Sequence, residues 1–265
     1  MSGLPQDTAI SIQGVTMRFG GIVAINDVNI DIARGSIAGL IGPNGAGKTT
    51  IFNVITGFYT PQKGKVLFGN KDITGLKPHR ICAAGLARTF QNIRLFTNET
   101  ALENVMIGRH VRRKSRWWEA MLSIPRAAAE EVAIRAASLD LLKRVGLQDY
   151  ANEKAGALPY GAQRRLEIAR ALATEPSFLL LDEPAAGMNP QESKALMEFI
   201  REIRDEYKLT VLLIEHDMKV VMGVCEYIWV LEYGMLIAKG NADSVRSDQR
   251  VIDAYLGEDL TNAGN

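Results

Sequence analysis

The segment from Gly42 to Thr49 reads GPNGAGKT and has glycines, a lysine and a hydroxyl residue at the spacing of a phosphate-binding loop. The apolar run from Ile37 to Ile41 precedes it and predicts a buried strand, and Thr50 to Thr56 predict a helix. A strand that turns through glycines into a helix gathers backbone N–H groups and the positive helix end around one point. There Lys48 would place its charge on the β- and γ-phosphates of a polyphosphate, and the Thr49 hydroxyl would ligate Mg²⁺.

Two adjacent carboxylates, Asp182 and Glu183, follow the apolar run from Phe178 to Leu181. This run predicts a buried parallel strand, and ligands of open α/β sheets bind at the carboxyl ends of such strands. Asp182 can hold Mg²⁺ through water, and Glu183 can then orient and polarise an attacking water molecule. Two acids that merely cap a strand before Pro184 would explain the pair alone, but its occurrence with the phosphate-binding loop favours the chemical interpretation.

Two further polar residues are candidates for the same site. His216 follows the apolar run from Thr210 to Ile214 and is therefore expected at the same sheet edge. A lone histidine is often structural, but this position favours contact with a γ-phosphate. Gln91 stands where β-rich sequence gives way to helical sequence. It is either a polar hinge residue or a side chain that reaches Mg²⁺ and couples two lobes.

The elements that would position these residues alternate between strands and helices, which predicts an α/β sheet. Residues 10–40 predict short β segments with turns at 19–21 and 33–35, and residues 227–239 predict a hairpin. Helical sequence from about Thr100 to Val145 predicts a subdomain inserted into the sheet.

Composition narrows the class of protein. A chain of 265 residues suffices for one core with a subdomain or for two small domains, and the net charge of +1 gives no case for a nucleic-acid partner. No apolar run reaches the length of a membrane span, and the N-terminus has no secretory pattern, so we expect a cytosolic chain. Cys82 and Cys225 lack metal-ligand spacing and are expected to be small buried residues in a reducing compartment.

The segment from Leu158 to Leu172, LPYGAQRRLEIARAL, resembles the L-S-G-G-Q signature of the ATP-binding subunits of ABC transporters. The order of phosphate-binding loop, Gln91, signature, carboxylate pair and His216 is similar to the order in that family, over nearly the whole chain. A glycine turn that opens a helix is a second anion site. In the family two subunits pack head to tail, and each ATP lies between the loop of one and the signature of the other.

The resemblance implies a RecA-like α/β P-loop ATPase core with an N-terminal antiparallel β part and an inserted α-helical subdomain. The implied boundaries are 1–92 for the β part and loop, 93–160 for the helical subdomain, 161–240 for the rest of the core and 241–265 for a short tail, with no C-terminal regulatory domain. The implied cofactors are ATP and Mg²⁺. The implied catalytic residues are Glu183, His216 and Gln91, and the implied metal ligands are Thr49, Gln91 and Asp182. The residues implied to bind the nucleotide are Phe19, Gly42, Pro43, Asn44, Gly45, Ala46, Gly47, Lys48, Thr49, Thr50 and Asp182, with Tyr160, Gly161, Ala162 and Gln163 acting on the partner's ATP.

Several positions depart from the family's pattern or remain ambiguous. Pro159 replaces the signature Ser and removes a hydroxyl and an N–H, and Ala162 replaces Gln, so the opposite site would have fewer phosphate donors. Asn189 replaces an Asp, and it also suits the cap of a helix that begins at Pro190. Phe19 matches the aromatic residue that stacks on adenine, but a core aromatic on a β segment is equally compatible.

Several stretches, including Pro184 to Pro190, Ile214 to Met218 and Ile252 to Gly257, resemble the LivG-type ATP-binding subunit of bacterial branched-chain amino acid importers. Relatives that serve urea or other amides are an alternative. The resemblance implies a second ATPase subunit, a paralogue, as partner. It also implies two transmembrane permease subunits, a periplasmic or extracellular solute-binding protein reached through them, and a peripheral place on the cytoplasmic face of the inner membrane.

Two alternatives from other classes are a soluble ABC ATPase of DNA repair or chromosome structure and an idle nucleotide-binding regulator. The first would require coiled-coil heptads or paired cysteines, which the sequence lacks, and the second conflicts with Lys48, Glu183 and His216. The basic, tryptophan-containing segment from Arg109 to Trp118 is either a solvated face or a contact with anionic headgroups or a permease loop.

Overall fold

The computed structural model describes residues 7–113 and 125–262. The described chain divides into two compact units. The first combines the residues up to Ile81 with those from Ser177 onward, and the second runs from Cys82 to Pro176.

The first unit contains an antiparallel sheet near its N-terminus. Its strands are β1 (Thr8–Phe19), β2 (Ile22–Ala33), β4 (Lys63–Phe68) and β5 (Lys71–Asp72), in the order β2-β1-β4-β5. The two predicted turns are confirmed, but β1 and β2 have 12 residues each and are longer than predicted. They stay continuous because a register shift between Ile12 and Val15 accommodates Gly14, whose φ is 60°.

The second sheet carries the predicted buried strands. In the first unit its strands are β3 (Ile37–Ile41), β7 (Phe178–Asp182), β8 (Thr210–Ile214), β9 (Tyr227–Glu232) and β10 (Met235–Gly240), in the order β10-β9-β3-β8-β7. Strand β3 runs parallel to β8 and β9, and β7 runs parallel to β8, whereas β9 and β10 form the predicted antiparallel hairpin. Every residue of β3, β7 and β8 is buried, which explains their continuous apolar sequences.

The helices of the first unit are α1 (Lys48–Ile55), α6 (Pro190–Tyr207), α7 (Met218–Val224), α8 (Ala242–Arg246) and α9 (Gln249–Asn262), and α2 (Pro78–Ala83) lies at its boundary. Helix α6 begins at Pro190 as predicted. The Asn189 side chain accepts hydrogen bonds from the N–H groups of Gln191 and Glu192, at 3.0 and 2.9 Å, and thereby caps the helix. The face of this helix that contains Leu196, Phe199, Ile200 and Ile203 is buried.

The second unit is mainly helical. It contains β6 (Leu86–Arg88), α3 (Ala101–Arg109), α4 (Pro125–Arg144) and α5 (Tyr160–Leu172). Helix α3 packs against both α4 and α5, and its first turn is closed by a capping box between Thr100 and Glu103. This unit contains the helical sequence from about Thr100 to Val145.

Some sequence-based expectations need correction or fall outside this description. Cys225 is buried and burial raises its thiol pKa to about 12, but Cys82 is only half-buried, contrary to the prediction. Within residues 109–118, the first five are described and the remainder, including both tryptophans, lies outside the described residues. No helix in the described ranges is both long and apolar enough to cross a membrane.

Candidate active site

The phosphate-binding loop connects β3 to α1, as the sequence predicts. Gly42, Gly45 and Gly47 all have positive φ, at 149°, 78° and 104°. A Cβ on Gly45 would meet nothing within 4 Å, so the loop leaves open space on that side. Since only glycine adopts such angles at low cost, the spacing of the glycines is a requirement of the backbone path.

The loop is held by the end of the β9–β10 hairpin. The Gly234 N–H donates to the Ala46 carbonyl at 3.0 Å, and the Asn26 N–H on β2 donates to the Gly234 carbonyl at 2.8 Å. A Cβ on Gly42 would lie 2.0 Å from the Leu231 carbonyl oxygen. No sequence pattern predicts this support, because the hairpin and the loop lie far apart along the chain.

Lys48 is buried, with 7% of its surface exposed. Its ammonium donates to the carbonyls of Gly42 and Pro43, at 2.5 and 2.8 Å. The positive charge therefore lies at the mouth of the loop, where a phosphate would compete with two neutral carbonyls for it. Thr49 follows at the start of α1 and is exposed, and Thr50 is half-buried.

The carboxylate pair lies at the end of β7. Asp182 is 4% exposed and is paired in register with Ile214 of β8. Glu183 has a left-handed φ of 45°, and its N–H donates to the Ile214 carbonyl at 2.9 Å. Its side chain is 17% exposed and can therefore meet solvent, while Asp182 is more enclosed.

His216 lies just beyond β8, and its side chain is 59% exposed. Its Nδ1 atom is 3.6 Å from the nearer carboxylate oxygen of Glu183 and 3.9 Å from that of Glu215. Because β3, β8 and β7 are adjacent and parallel, the loop, His216 and the carboxylate pair meet at one sheet edge. The structure thus places the phosphate-binding loop, Asp182, Glu183 and His216 at one edge of the sheet.

Glu215 is a residue that sequence reasoning did not assign. It is 1% exposed and accepts a hydrogen bond from the Ala185 N–H at 2.8 Å. Burial raises the pKa of its carboxyl, although the Ala185 N–H and His216 oppose the shift. Its position directly after the apolar run that forms β8 could have identified it in the sequence as a candidate residue of this sheet edge.

The donor set at this edge fits a Mg²⁺–nucleotide. Loop amides, the Lys48 ammonium and the positive end of α1 suit phosphate oxygens. The Thr49 hydroxyl and the Asp182 carboxylate are hard oxygen ligands, which Mg²⁺ prefers together with phosphates and water. Glu183 and His216 are then available for water and a terminal phosphate.

Phe19 lies at the end of β1 and is 42% exposed. Its ring meets that of Tyr59 edge to face, with the ring centroids 5.0 Å apart. This exposure does not fit a core aromatic and is compatible with stacking on a base. Val23, on β2, is 40% exposed.

The remaining candidates lie in the second unit. Helix α5 begins at Tyr160, and Pro159 at its N-cap makes no side-chain capping bond. The first N–H groups of a helix have no acceptor within it, so those of Gly161 and Ala162 suit an anion. The Gln163 amide donates to the Leu158 carbonyl at 2.8 Å. Gln91 is exposed.

Comparison with known sequences gives two family matches. A sequence model of the ABC transporter family matches residues 25–186, and one for the branched-chain amino acid ATP-binding cassette transporter matches residues 235–261. The chain is 47% identical to the high-affinity branched-chain amino acid transport ATP-binding protein LivG of Escherichia coli (strain K12). That similarity covers 94% of this chain and 98% of the relative.

Comparison with solved structures gives a similar fold. A crystal structure of the ADP conformation of an ATP-binding cassette of an ABC transporter has a TM-score of 0.82 and 32% identity, covering 94% of this chain and 99% of that chain. A dimeric structure of a post-hydrolysis state of an ATP-binding cassette, bound to ADP and Pi, has a TM-score of 0.73 and 27% identity, covering 88% and 98%.

Proposed function

Because this chain belongs to the ABC transporter family, we propose that it is the ATP-hydrolysing subunit of a bacterial importer for branched-chain amino acids. The observation that carries the proposal is the meeting of Lys48, Asp182, Glu183 and His216 at the carboxyl ends of three adjacent parallel strands. That arrangement supplies phosphate binding, metal binding and water activation at one edge.

In the proposed reaction the loop amides and Lys48 bind the phosphates of ATP. Thr49 and Asp182 hold Mg²⁺, with Gln91 as a further ligand by family resemblance. The bound ion would neutralise charge on the β- and γ-phosphates. Glu183 orients the attacking water and accepts its proton, and His216 donates a hydrogen bond to the γ-phosphate. Positioning and charge stabilisation then account for most of the acceleration.

The signature helix is assigned to the ATP of a second ATPase subunit. Gly161, Ala162 and the positive end of α5 would donate to its γ-phosphate, while Tyr160 and Gln163 flank them. Support comes from the absence of a side-chain cap at this helix start and from the dimeric form of one structural neighbour. We propose a paralogue as the partner, because a homodimer would carry Pro159 at both ATP sites, whereas a paralogue could supply an unaltered signature to one of them.

The transported solute is proposed from the relatives. LivG is described as a branched-chain amino acid transport protein, and the C-terminal match, residues 235–261, is to a model for such transporters. The chain would lie on the cytoplasmic face of the membrane, bound to two permease subunits. A solute-binding protein would deliver the solute to these permease subunits. Urea or another amide is the alternative solute.

Uptake in a strain that lacks this protein tests the assignment. We expect loss of labelled leucine uptake, its recovery with the wild-type chain, and no recovery with Lys48→Ala, which removes the phosphate-binding charge. Glu202→Gln, an exposed change on α6, should restore uptake and serves as the control. Unchanged leucine uptake together with lost urea uptake would replace the branched-chain assignment with the amide one.

A further inference from the structure

Arg164, in the second turn of α5, is fully buried, although arginine is almost never buried without partners. Its Nη1 atom donates to the Phe90 carbonyl at 2.7 Å, and its Nη2 atom donates to the Gln91 carbonyl at 2.6 Å. Nη2 also donates to the Tyr160 hydroxyl at 3.2 Å. One guanidinium therefore joins the start of the signature helix to the backbone of Gln91.

Glu167, one turn further along α5, binds the same segment. Its carboxylate is 1% exposed and lies 3.0 Å from Arg164 Nη1. It accepts hydrogen bonds from the N–H groups of Phe90 and Arg94, both at 3.3 Å. Arg164 and Glu167, which we call the clamp, thus bind two carbonyl and two N–H groups in the backbone of residues 90–94 from one helix.

Stability alone is a weak reason for the clamp. Removing two charges from water offsets most of their attraction, and apolar residues of similar volume often serve stability as well or better. The pair also fixes the geometry of the bound backbone, because the planar guanidinium holds two carbonyl oxygens at set positions. The side chain of Gln91 stays exposed while its carbonyl is held. The clamp therefore fixes the backbone from which this side chain projects.

We propose that Arg164 and Glu167 are positioning residues for Gln91 and couple it to the signature at the start of the same helix. The inference rests on the proposed function, in which the signature binds the partner's ATP and Gln91 serves Mg²⁺ in its own subunit. A shift of α5 on binding the partner's ATP is then passed to Gln91 through the clamp. Each subunit links the two ATP sites through one buried pair.

The test is Arg164→Met combined with Glu167→Gln in the full chain, assembled with its partner subunit. This double variant leaves no unpaired buried charge, and the amide oxygen at position 167 would still accept from the two N–H groups, whereas Met cannot hold the two carbonyls. We expect retained ATP affinity and a rise in the Mg²⁺ concentration for half-maximal turnover. Turnover should fall about ten- to hundredfold, as misplacing a positioned group by about 1 Å can do. Arg164→Lys should lose less turnover than the double variant, because the ammonium keeps the positive charge although it cannot span both carbonyls.

Arg144→Met is the matched control, since it breaks an exposed ion pair with Asp140 in the same unit. It should leave turnover and Mg²⁺ dependence unchanged. A folded double variant with wild-type turnover and Mg²⁺ dependence would overturn the clamp and leave the proposed function standing. If the wild-type chain, assembled with its partner subunit, hydrolysed no ATP, the proposed function would fail, and the clamp inference would fall with it.

Amide exchange on the wild-type chain tests the clamp even if the double variant does not fold. The N–H groups of Phe90 and Arg94 should be protected, because Glu167 accepts from both. Addition of Mg²⁺–ATP should raise the protection of peptides covering 88–94 and 158–168 together. Exchange of 90–94 at the rate of an unstructured peptide would show that the clamp does not form and would overturn the inference.

Discussion

The carboxylate of Glu215 accepts a hydrogen bond from the N–H of Ala185 at 2.8 Å, which ties the end of β8 to the turn after β7. Glu183 lies in that turn with a left-handed φ of 45°. Such a conformation costs a residue with a side chain about 1–2 kcal/mol, so it persists only where neighbouring contacts enforce it. Glu215 therefore helps to hold the proposed catalytic carboxylate in place without facing solvent itself.

The first prediction concerns the pH dependence of this contact. Burial raises the folded-state pKa of Glu215 above the ordinary value of 4.5, and the nearby Glu183 adds to the shift, while His216 and the Ala185 N–H oppose it. Proton binding then favours the folded state, so its contribution is complete below pH 4.5 and is lost as the pH rises through the folded-state pKa. Glu215→Gln cannot titrate. Its free energy of unfolding, minus that of the wild type, should therefore increase with pH and then level off.

Urea unfolding of both proteins across a pH series measures this difference. Glu202→Gln, which changes an exposed carboxylate on α6, should track the wild type at every pH. Parallel curves for Glu215→Gln and the wild type would contradict the assignment, because they would mean that the buried carboxyl has the same pKa in both states.

The second prediction concerns Glu183→Gln. The amide keeps the size of the side chain but cannot accept a proton from water, so turnover should fall by about 10²–10⁴-fold while ATP binding persists. Phosphate release and retention of labelled ATP measure the two effects separately. Undiminished turnover would show that another group activates the water.

The first unit was largely predictable, because continuous apolar runs in the sequence identify its buried strands. Its candidate site residues directly follow these runs. One rule was enough to predict that the Gly42 to Thr49 loop, Asp182 and His216 share a site: the carboxyl ends of parallel strands lie at the same edge of a sheet. What could not be predicted were contacts between distant segments. Glu215, the hairpin support at Gly234 and the buried Arg164–Glu167 pair depend on tertiary neighbours that no local periodicity encodes.

The third prediction tests the hairpin support with Gly234→Ala. Gly234 has a φ of 76°, and a Cβ there would lie 2.6 Å from the Ala24 carbonyl oxygen, so the hairpin end, which also binds Ala46, must shift relative to β2. We expect weaker ATP binding, although no part of residue 234 is assigned to the nucleotide. Gly35→Ala is the matched control, since Gly35 has a φ of 72° with nothing within 4 Å of an added Cβ.

Both alanine variants incur the same left-handed backbone cost, about 1–2 kcal/mol, so a comparable loss of stability is expected from that source. Nucleotide affinity by titration calorimetry should separate them, with a decrease for Gly234→Ala alone. Equal affinities for the two variants would mean that the loop keeps its shape without the hairpin.

The last prediction concerns Pro159→Ser, at the N-cap of α5. Pro159 has φ and ψ of −54° and 149°, which a serine N-cap can also adopt, and it offers no side-chain cap. Serine adds an N–H and a hydroxyl, whose oxygen can cap the helix, beside the N–H groups proposed to bind the partner's ATP. We expect about 1 kcal/mol of added stability and a higher turnover in the assembled dimer. Pro159→Ala restores the N–H without the hydroxyl and separates the two contributions. If Pro159→Ser turned over no faster than Pro159→Ala and the wild type, the serine hydroxyl and N–H would not limit hydrolysis, and the inequality of the two sites would have to arise elsewhere.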